Sequence, residues 1–232
     1  MAIRVVLADD DGYARAGIGM ILRAESDLEV VAEAADGAGA VEAVRRLHPD
    51  VAVLDVRMPG IDGIEATRRI TSDEFAAPDG RTTAVLVLTT FKVDEAVYDC
   101  LRASASGFLL KDIAPRDLVT SVRAVVNGES ALSPSVARLL IREFARLGES
   151  PLPPPEAVQL LTAREREVLQ LMAYGMENAD ISRHLVLAPG TVKTHVTRIL
   201  TKLGVHTRTQ AVVFAYRTRL VGPDDPLSAT RN

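Results

Sequence analysis

Five short apolar runs, each followed by a stretch of helical character, fill the first half of the chain and leave few folds open to it. Residues 3–8, 28–32, 51–54, 84–89 and 107–110 are apolar at several successive positions, as expected of strands covered on both faces. Between and after them, residues 13–24, 38–47, 61–70, 93–103 and 115–127 read as helices. Pro115 suits a first helical turn, and Asn127-Gly128 suits a helix end. Strand–helix alternation predicts an α/β domain with a doubly wound parallel sheet, because parallel neighbours need a crossover connection. Sites in such sheets form beyond the carboxyl ends of the strands.

Those ends carry a particular set of side chains. Asp9 and Asp10 close the first run, Asp55 the third and Thr89 the fourth, while Lys111 follows the fifth. The first and third strands are neighbours in a doubly wound sheet, so three carboxylates converge at one edge. Uncompensated, they repel one another and raise their pKa values. A hard divalent cation with oxygen ligands relieves that repulsion, and Mg²⁺ is the natural candidate. Each residue alone has an ordinary explanation, since a strand-end Asp is usually a turn residue and a lone Lys a surface charge. It is the set of five, in order and at successive strand ends, that points to a site.

A second region begins after a Pro-rich stretch. Gly148-Glu149-Ser150-Pro151-Leu152-Pro153-Pro154-Pro155 fits neither helix nor sheet and predicts a semi-extended linker, preceded by a helix over 133–147. The expected organisation is a first domain over 1–128, a linker helix and Pro-rich linker over 129–157, a helical domain over 158–222 and a disordered tail over 223–232. Charge divides along the same boundary. The formal net charge of −4 combines 17 Lys and Arg against 24 Asp and Glu in residues 1–155, nine against five in residues 156–222 and one against two in residues 223–232. A basic second half suits nucleic acid.

Within that half, Thr162-Ala163-Arg164-Glu165 forms a capping box opening a helix that runs to about Tyr174. A short helix over 178–185, a turn, and a longer helix from Pro189 to Leu203 read as a helix-turn-helix. On the longer helix Val192, Val196, Ile199, Leu200 and Leu203 share one stripe, and Thr194, Thr197 and Thr201 face the other way among Lys193, Arg198 and Lys202. Hydroxyls bordered by cations suit a DNA major groove, against the plainer reading of an amphipathic surface helix. The last helix, 208–220, is apolar on more than one side through Ala211, Val212, Val213, Phe214, Ala215, Tyr216 and Leu220. That is more than so small a domain is expected to cover, so part of it should meet a second copy.

These residues carry a resemblance. Leu7-Ala8-Asp9-Asp10, Leu54-Asp55-Val56-Arg57-Met58-Pro59-Gly60-Ile61-Asp62-Gly63, Thr89-Thr90 and Gly107-Phe108-Leu109-Leu110-Lys111 resemble the receiver domain of two-component response regulators. The resemblance implies a flavodoxin-like fold with strand order 2-1-3-4-5. It also implies Asp55 as phosphoacceptor from a sensor histidine kinase, and Mg²⁺ held by Asp10, Asp55 and the backbone carbonyl of Arg57, with Asp9 acting through water. Thr89 would bond the new phosphoryl oxygen, Phe108 would turn inward, and Lys111 would pair with the phosphate. Leu161-Thr162-Ala163-Arg164-Glu165-Arg166-Glu167-Val168-Leu169, Asn178-Ala179-Asp180-Ile181-Ser182 and Gly190-Thr191-Val192-Lys193-Thr194-His195-Val196 are similar to the NarL/FixJ (LuxR-type) DNA-binding domain. By that likeness Lys193, Thr194 and Thr197 face bases, and Thr191, Arg198 and Lys202 lie nearer the backbone of double-stranded DNA. The last helix, through Ala211, Val212, Ala215 and Tyr216, would pair a homodimer.

Some positions depart from the pattern. Asp11 adds a third consecutive acid, Ser104 stands where a glycine is common, and Glu177 replaces a small hydroxyl residue before Asn178. Arg57 and Phe91, two residues after Asp55 and Thr89, are expected to flank the phosphoryl group and shield it from water. The single cysteine, Cys100, leaves no internal disulfide, and no apolar run is long enough to span a membrane, so a cytoplasmic protein is expected. A phosphorylation-independent regulator that uses the first domain as an interaction module is the alternative. A phosphatase-like hydrolase would need a second general-acid carboxylate that the sequence does not offer.

Overall fold

The valine- and leucine-rich runs at the centre of the sheet are buried at nearly every position, as expected of strands covered on both faces, while the edge strand over residues 28–34 is only partly buried. β1 (Ile3–Ala8), β2 (Leu28–Ala34), β3 (Val51–Asp55), β4 (Ala84–Thr89) and β5 (Gly107–Leu110) form a parallel sheet in the order β2-β1-β3-β4-β5. The computed structural model describes residues 2–72, 75, 82–89, 96–129, 131–132 and 155–221. Thr90, Phe91, the expected 133–147 helix, the Pro-rich residues 148–154 and the expected tail lie outside the described residues. The chain divides into two units, Met1–Val136 and Ala137–Asn232.

The five-stranded order expected from the alternation is present, with an addition. β6 (Ala131–Leu132) pairs in parallel with β5, Gly107 opposite Ala131. The first unit therefore continues past the boundary expected at residue 128. Helices α1 (Gly12–Arg23) and α5 (Pro115–Val126) pack together, and α2 (Gly37–Leu47), α3 (Gly63–Ile70) and α4 (Ala96–Arg102) pack in succession. The core on the α1/α5 side joins Val5, Leu7, Val53, Leu86 and Leu88 of the sheet to Leu22, Leu118 and Val122. Each such side chain contributes about 1.5–3 kcal/mol by leaving water. Cys100 is buried, and burial pushes its thiol up to about 12, which fits packing rather than chemistry.

Caps fix the helix starts that border the strand ends. Asp11 accepts from the backbone N–H groups of Tyr13 and Ala14 at the start of α1, so the third acid of the run is a cap with an exposed side chain. Asp36 caps α2 and Asp62 caps α3. Ser104 adopts φ 63°, the left-handed conformation that explains why glycine suits this turn.

In the second unit a 3₁₀ turn (Pro155–Leu160) leads into α6 (Ala163–Ala173), α7 (Asn178–Leu185), α8 (Pro189–Leu203) and α9 (Arg208–Arg217). The Thr162–Glu165 capping box is present, and a second, Thr207–Gln210, opens α9. α9 ends three residues before Leu220 because Arg219 turns left-handed, at φ 55°, and the Leu220 N–H closes back on the Ala215 carbonyl at 2.9 Å.

Candidate functional site

The parallel register assembles the acidic site. Ala8 pairs with Leu54, so the residues that follow, Asp9 and Asp55, leave the sheet side by side. Thr89 pairs with Leu110, and the Lys111 N–H donates to the Thr89 carbonyl at 2.8 Å. Carboxylate oxygens of Asp9, Asp10 and Asp55 lie within 4.8 Å of one another. Lys111 Nζ lies 2.7 Å from Asp9 Oδ2 and 3.1 Å from Asp55 Oδ2. Asp9 is wholly buried, Asp55 is 5% exposed and Asp10 is exposed. Thr89 is half-buried at the strand end and the Arg57 side chain is exposed.

Burial raises the Asp55 pKa above its ordinary value; Lys111 works against that rise and the Asp9 charge adds to it. For Lys111, burial pulls the pKa down, but hydrogen bonds to Asp9 and Asp55 outweigh it and the net direction is up. The ammonium stays charged between two acids. Asp9 Oδ2 is buried and met by the Lys111 ammonium at 2.7 Å. Three converging carboxylates held by a single ammonium form an all-oxygen donor set that fits a hard divalent cation.

Gly63 opens α3 against this site. A Cβ there would lie 2.0 Å from the Asp55 carbonyl oxygen, and the Gly63 N–H donates to the Val56 carbonyl at 2.9 Å. Only glycine permits that approach. Phe108 of β5 is buried, at 1% exposure.

On α8 the division expected from sequence is present. Val192, Val196, Ile199 and Leu203 are buried, while Thr191, Lys193, Thr194, Thr197, Arg198 and Thr201 are exposed. The Thr194, Thr197 and Thr201 hydroxyls donate to the carbonyls of Gly190, Lys193 and Thr197. Their hydrogens are spent within the helix, which leaves acceptor lone pairs and methyl groups outward.

Comparison with known proteins settles the family. The family model for the response regulator receiver domain matches residues 5–123, and that for bacterial regulatory proteins of the luxR family matches residues 159–215. The chain belongs to the LuxR-type response regulators. Among relatives, the Bacillus subtilis transcriptional regulatory proteins YxjL and LiaR are 42% and 41% identical over 219 residues each, covering 94% of this chain and 97% and 99% of theirs. Among solved structures, one of two RcsB dimers bound to two parallel DNAs is 25% identical with a TM-score of 0.53, covering 94% of this chain and 99% of that one. This chain is therefore a transcriptional regulator with a receiver domain and a LuxR-type DNA-binding domain.

Two contacts in the second unit of this response regulator bear on the expected DNA and dimer surfaces. Lys202, expected near the DNA backbone, places its ammonium 2.7 Å from Glu165 Oε2, so its charge is engaged by α6. Ala211, Val212 and Ala215 of α9 are buried within the single chain, and the Tyr216 hydroxyl donates to the Ala173 carbonyl at 2.9 Å. The premise that the chain cannot cover this helix alone does not hold, because α9 packs on both α6 and α8.

The sequence reading also missed two arginines. Arg15 of α1 donates to the Asp9 carbonyl at 2.5 Å and sits 3.5 Å from Glu33, which steadies the turn carrying Asp9 and Asp10. Its signal was an Arg one helical turn past a strand-end acid pair. Arg208, 5% exposed, donates to Asn178 Oδ1 and the Met176 carbonyl, joining α9 to the start of α7. Glu177 caps α7 by backbone position alone, with no side-chain hydrogen bond. No helix among the described residues is long and apolar enough to cross a membrane.

Proposed function

We propose that Asp55 accepts a phosphoryl group from a sensor histidine kinase, and that this modification controls dimerisation and sequence-specific binding to double-stranded DNA. The observation that carries the reading is the convergence of three carboxylates within 4.8 Å, with Lys111 shared between Asp9 and Asp55. In the transfer, the bond from phosphorus to the donor nitrogen breaks and one to an Asp55 oxygen forms. Asp9, Asp10, Asp55 and the backbone carbonyl of Arg57 would hold Mg²⁺, which when bound offsets the charge on the phosphoryl oxygens. Lys111, already charged at the acceptor, supplies the partner for the phosphate, and the Thr89 hydroxyl supplies a donor at the neighbouring strand end.

The second unit reads DNA through α8 in this proposal. Lys193, Thr194 and Thr197 face bases, with Thr191 and Arg198 toward phosphates. With their hydroxyl hydrogens engaged, Thr194 and Thr197 accept from the amino groups of adenine or cytosine and offer methyls to thymine. Likeness to RcsB, solved as dimers on DNA, supports a dimeric bound form. Pairing through α9 then requires uncovering Ala211, Val212 and Ala215, which are covered in the single chain.

Incubation with acetyl phosphate and Mg²⁺, followed by mass spectrometry, gel filtration and duplex binding, tests the reading. Parent protein gains one phosphoryl group, dimerises and binds more tightly, and Asp55→Asn does none of these. If Asp55→Asn binds DNA and dimerises as the treated parent does, regulation is independent of phosphorylation and the proposal fails.

A further inference from the structure

Three donors converge on one buried oxygen in the second unit. Glu165 Oε2 accepts from the Thr162 backbone N–H at 2.7 Å, from the Thr162 hydroxyl at 2.9 Å and from Lys202 Nζ at 2.7 Å. The Glu165 side chain is 4% exposed and that of Lys202 is 36% exposed. The capping box that starts α6 is thus continuous with an ion pair to the last turn of α8. Lys202 also sits where the carbonyl end of the α8 dipole favours a cation. Its charge is met from two directions inside the protein.

We infer that Lys202 is a positioning residue, which clamps the end of the recognition helix to α6 through Glu165, and not a phosphate contact. The inference rests on the reading of α8 as the DNA-facing helix. The buried stripe of Val192, Val196, Ile199 and Leu203 sets which way α8 faces, but apolar packing is non-directional and resists sliding poorly. A hydrogen-bonded pair at one end supplies the directional restraint. All three cations of α8 are exposed, but Lys193 and Arg198, unlike Lys202, make no ion pair among the described residues. Their charges are the ones available to displace counterions from DNA.

Salt dependence separates the two roles. Each cation that neutralises a phosphate contributes about 0.9 to the slope of log affinity against log salt, whereas a positioning residue contributes nothing to it. Binding of the full chain to a mixed-sequence duplex is measured over a range of NaCl for the parent, Arg198→Met, Lys202→Met and Lys202→Gln. Arg198→Met is expected to lower the slope by about 0.9. Lys202→Met is expected to keep the parent slope while weakening binding at every salt concentration by about 2- to 150-fold, the range for coupled residues in one ion-pair network. Lys202→Gln keeps a donor for Glu165 and restores most of the affinity, and it carries the same slope test should Lys202→Met fail to fold. A slope that falls by about 0.9 for both Lys202 variants overturns the inference. A slope untouched by Arg198→Met as well removes the DNA-facing reading of α8, and the inference with it.

Discussion

Replacing Gly63 with alanine perturbs the acceptor site without touching any of its side chains. The added Cβ would stand 2.0 Å from the Asp55 carbonyl oxygen, 2.9 Å from its carbon and 3.0 Å from Val56 Cα. Real contacts of this kind need more than 3.0 Å, so about 1 Å of movement is forced. No flexible side-chain end absorbs it, because all three neighbours are backbone atoms of β3 and the residue after it. Overpacking of a tight site costs about 1–3 kcal/mol. The bond from the Gly63 N–H to the Val56 carbonyl, 2.9 Å long, is stretched in addition and its loss costs about 1 kcal/mol. The expected sum is about 2–4 kcal/mol, or a Tm lower by about 10 °C for a domain of this size. Because Asp55 moves with its carbonyl, phosphorylation by acetyl phosphate slows by about 100-fold, the usual penalty for an ångström of misplacement. Thermal unfolding and a phosphorylation time course, both at a temperature where the variant is folded, measure the two effects. A Gly63→Ala protein with the parent Tm and the parent rate would refute the argument that α3 is packed against the acceptor backbone.

Asp55→Asn is expected to stabilise the receiver unit in Mg²⁺-free buffer. The folded pKa of Asp55 is raised, so the stability linked to this group is full below its ordinary 3.8 and is lost as pH rises through the folded value. A side chain that cannot ionise keeps it, so Tm at neutral pH rises; a lower Tm at neutral pH contradicts this. Glu165 behaves in the opposite sense. Burial opposes its charge, but Lys202 and the Thr162 donors together hold its carboxyl at about 2 against an ordinary 4.5. Its contribution is present above 4.5 and lost as pH falls toward 2, so Lys202→Met should move acid unfolding of the helical unit to higher pH, read by circular dichroism; an unchanged acid midpoint counts against the pair. Val186, 90% exposed, is a β-branched residue held at φ 53° in the turn before α8. Val186→Asn relieves that strain without losing packing and should raise Tm by a few degrees, for ~0.5–1 kcal/mol; no gain would mean the turn is not strained.

What was legible in the sequence follows from what a parallel sheet does to its strand ends. An apolar run that must pair on both sides has little freedom of register, so an acid immediately after it is placed as firmly as the strand. Asp9, Asp55, Thr89 and Lys111 are therefore readable together, and so is the buried stripe of α8. β6 was not, because two residues, Ala131 and Leu132, carry no periodicity of their own and pair only where Gly107 lets them approach. The partners of Lys202 and of α9 were hidden for a common reason. A helical wheel assigns each side chain a direction but not a partner on another helix. Glu165 looked spent on its capping box, yet a carboxylate oxygen has lone pairs for a further donor, and the one that arrives comes from the far end of α8. In the same way an apolar surface all round α9 calls for cover, and α6 and α8 packed on it supply cover that periodicity attributes equally well to a second chain. Surplus of one kind, whether lone pairs or apolar area, shows in the sequence; where it is satisfied depends on how the helices pack.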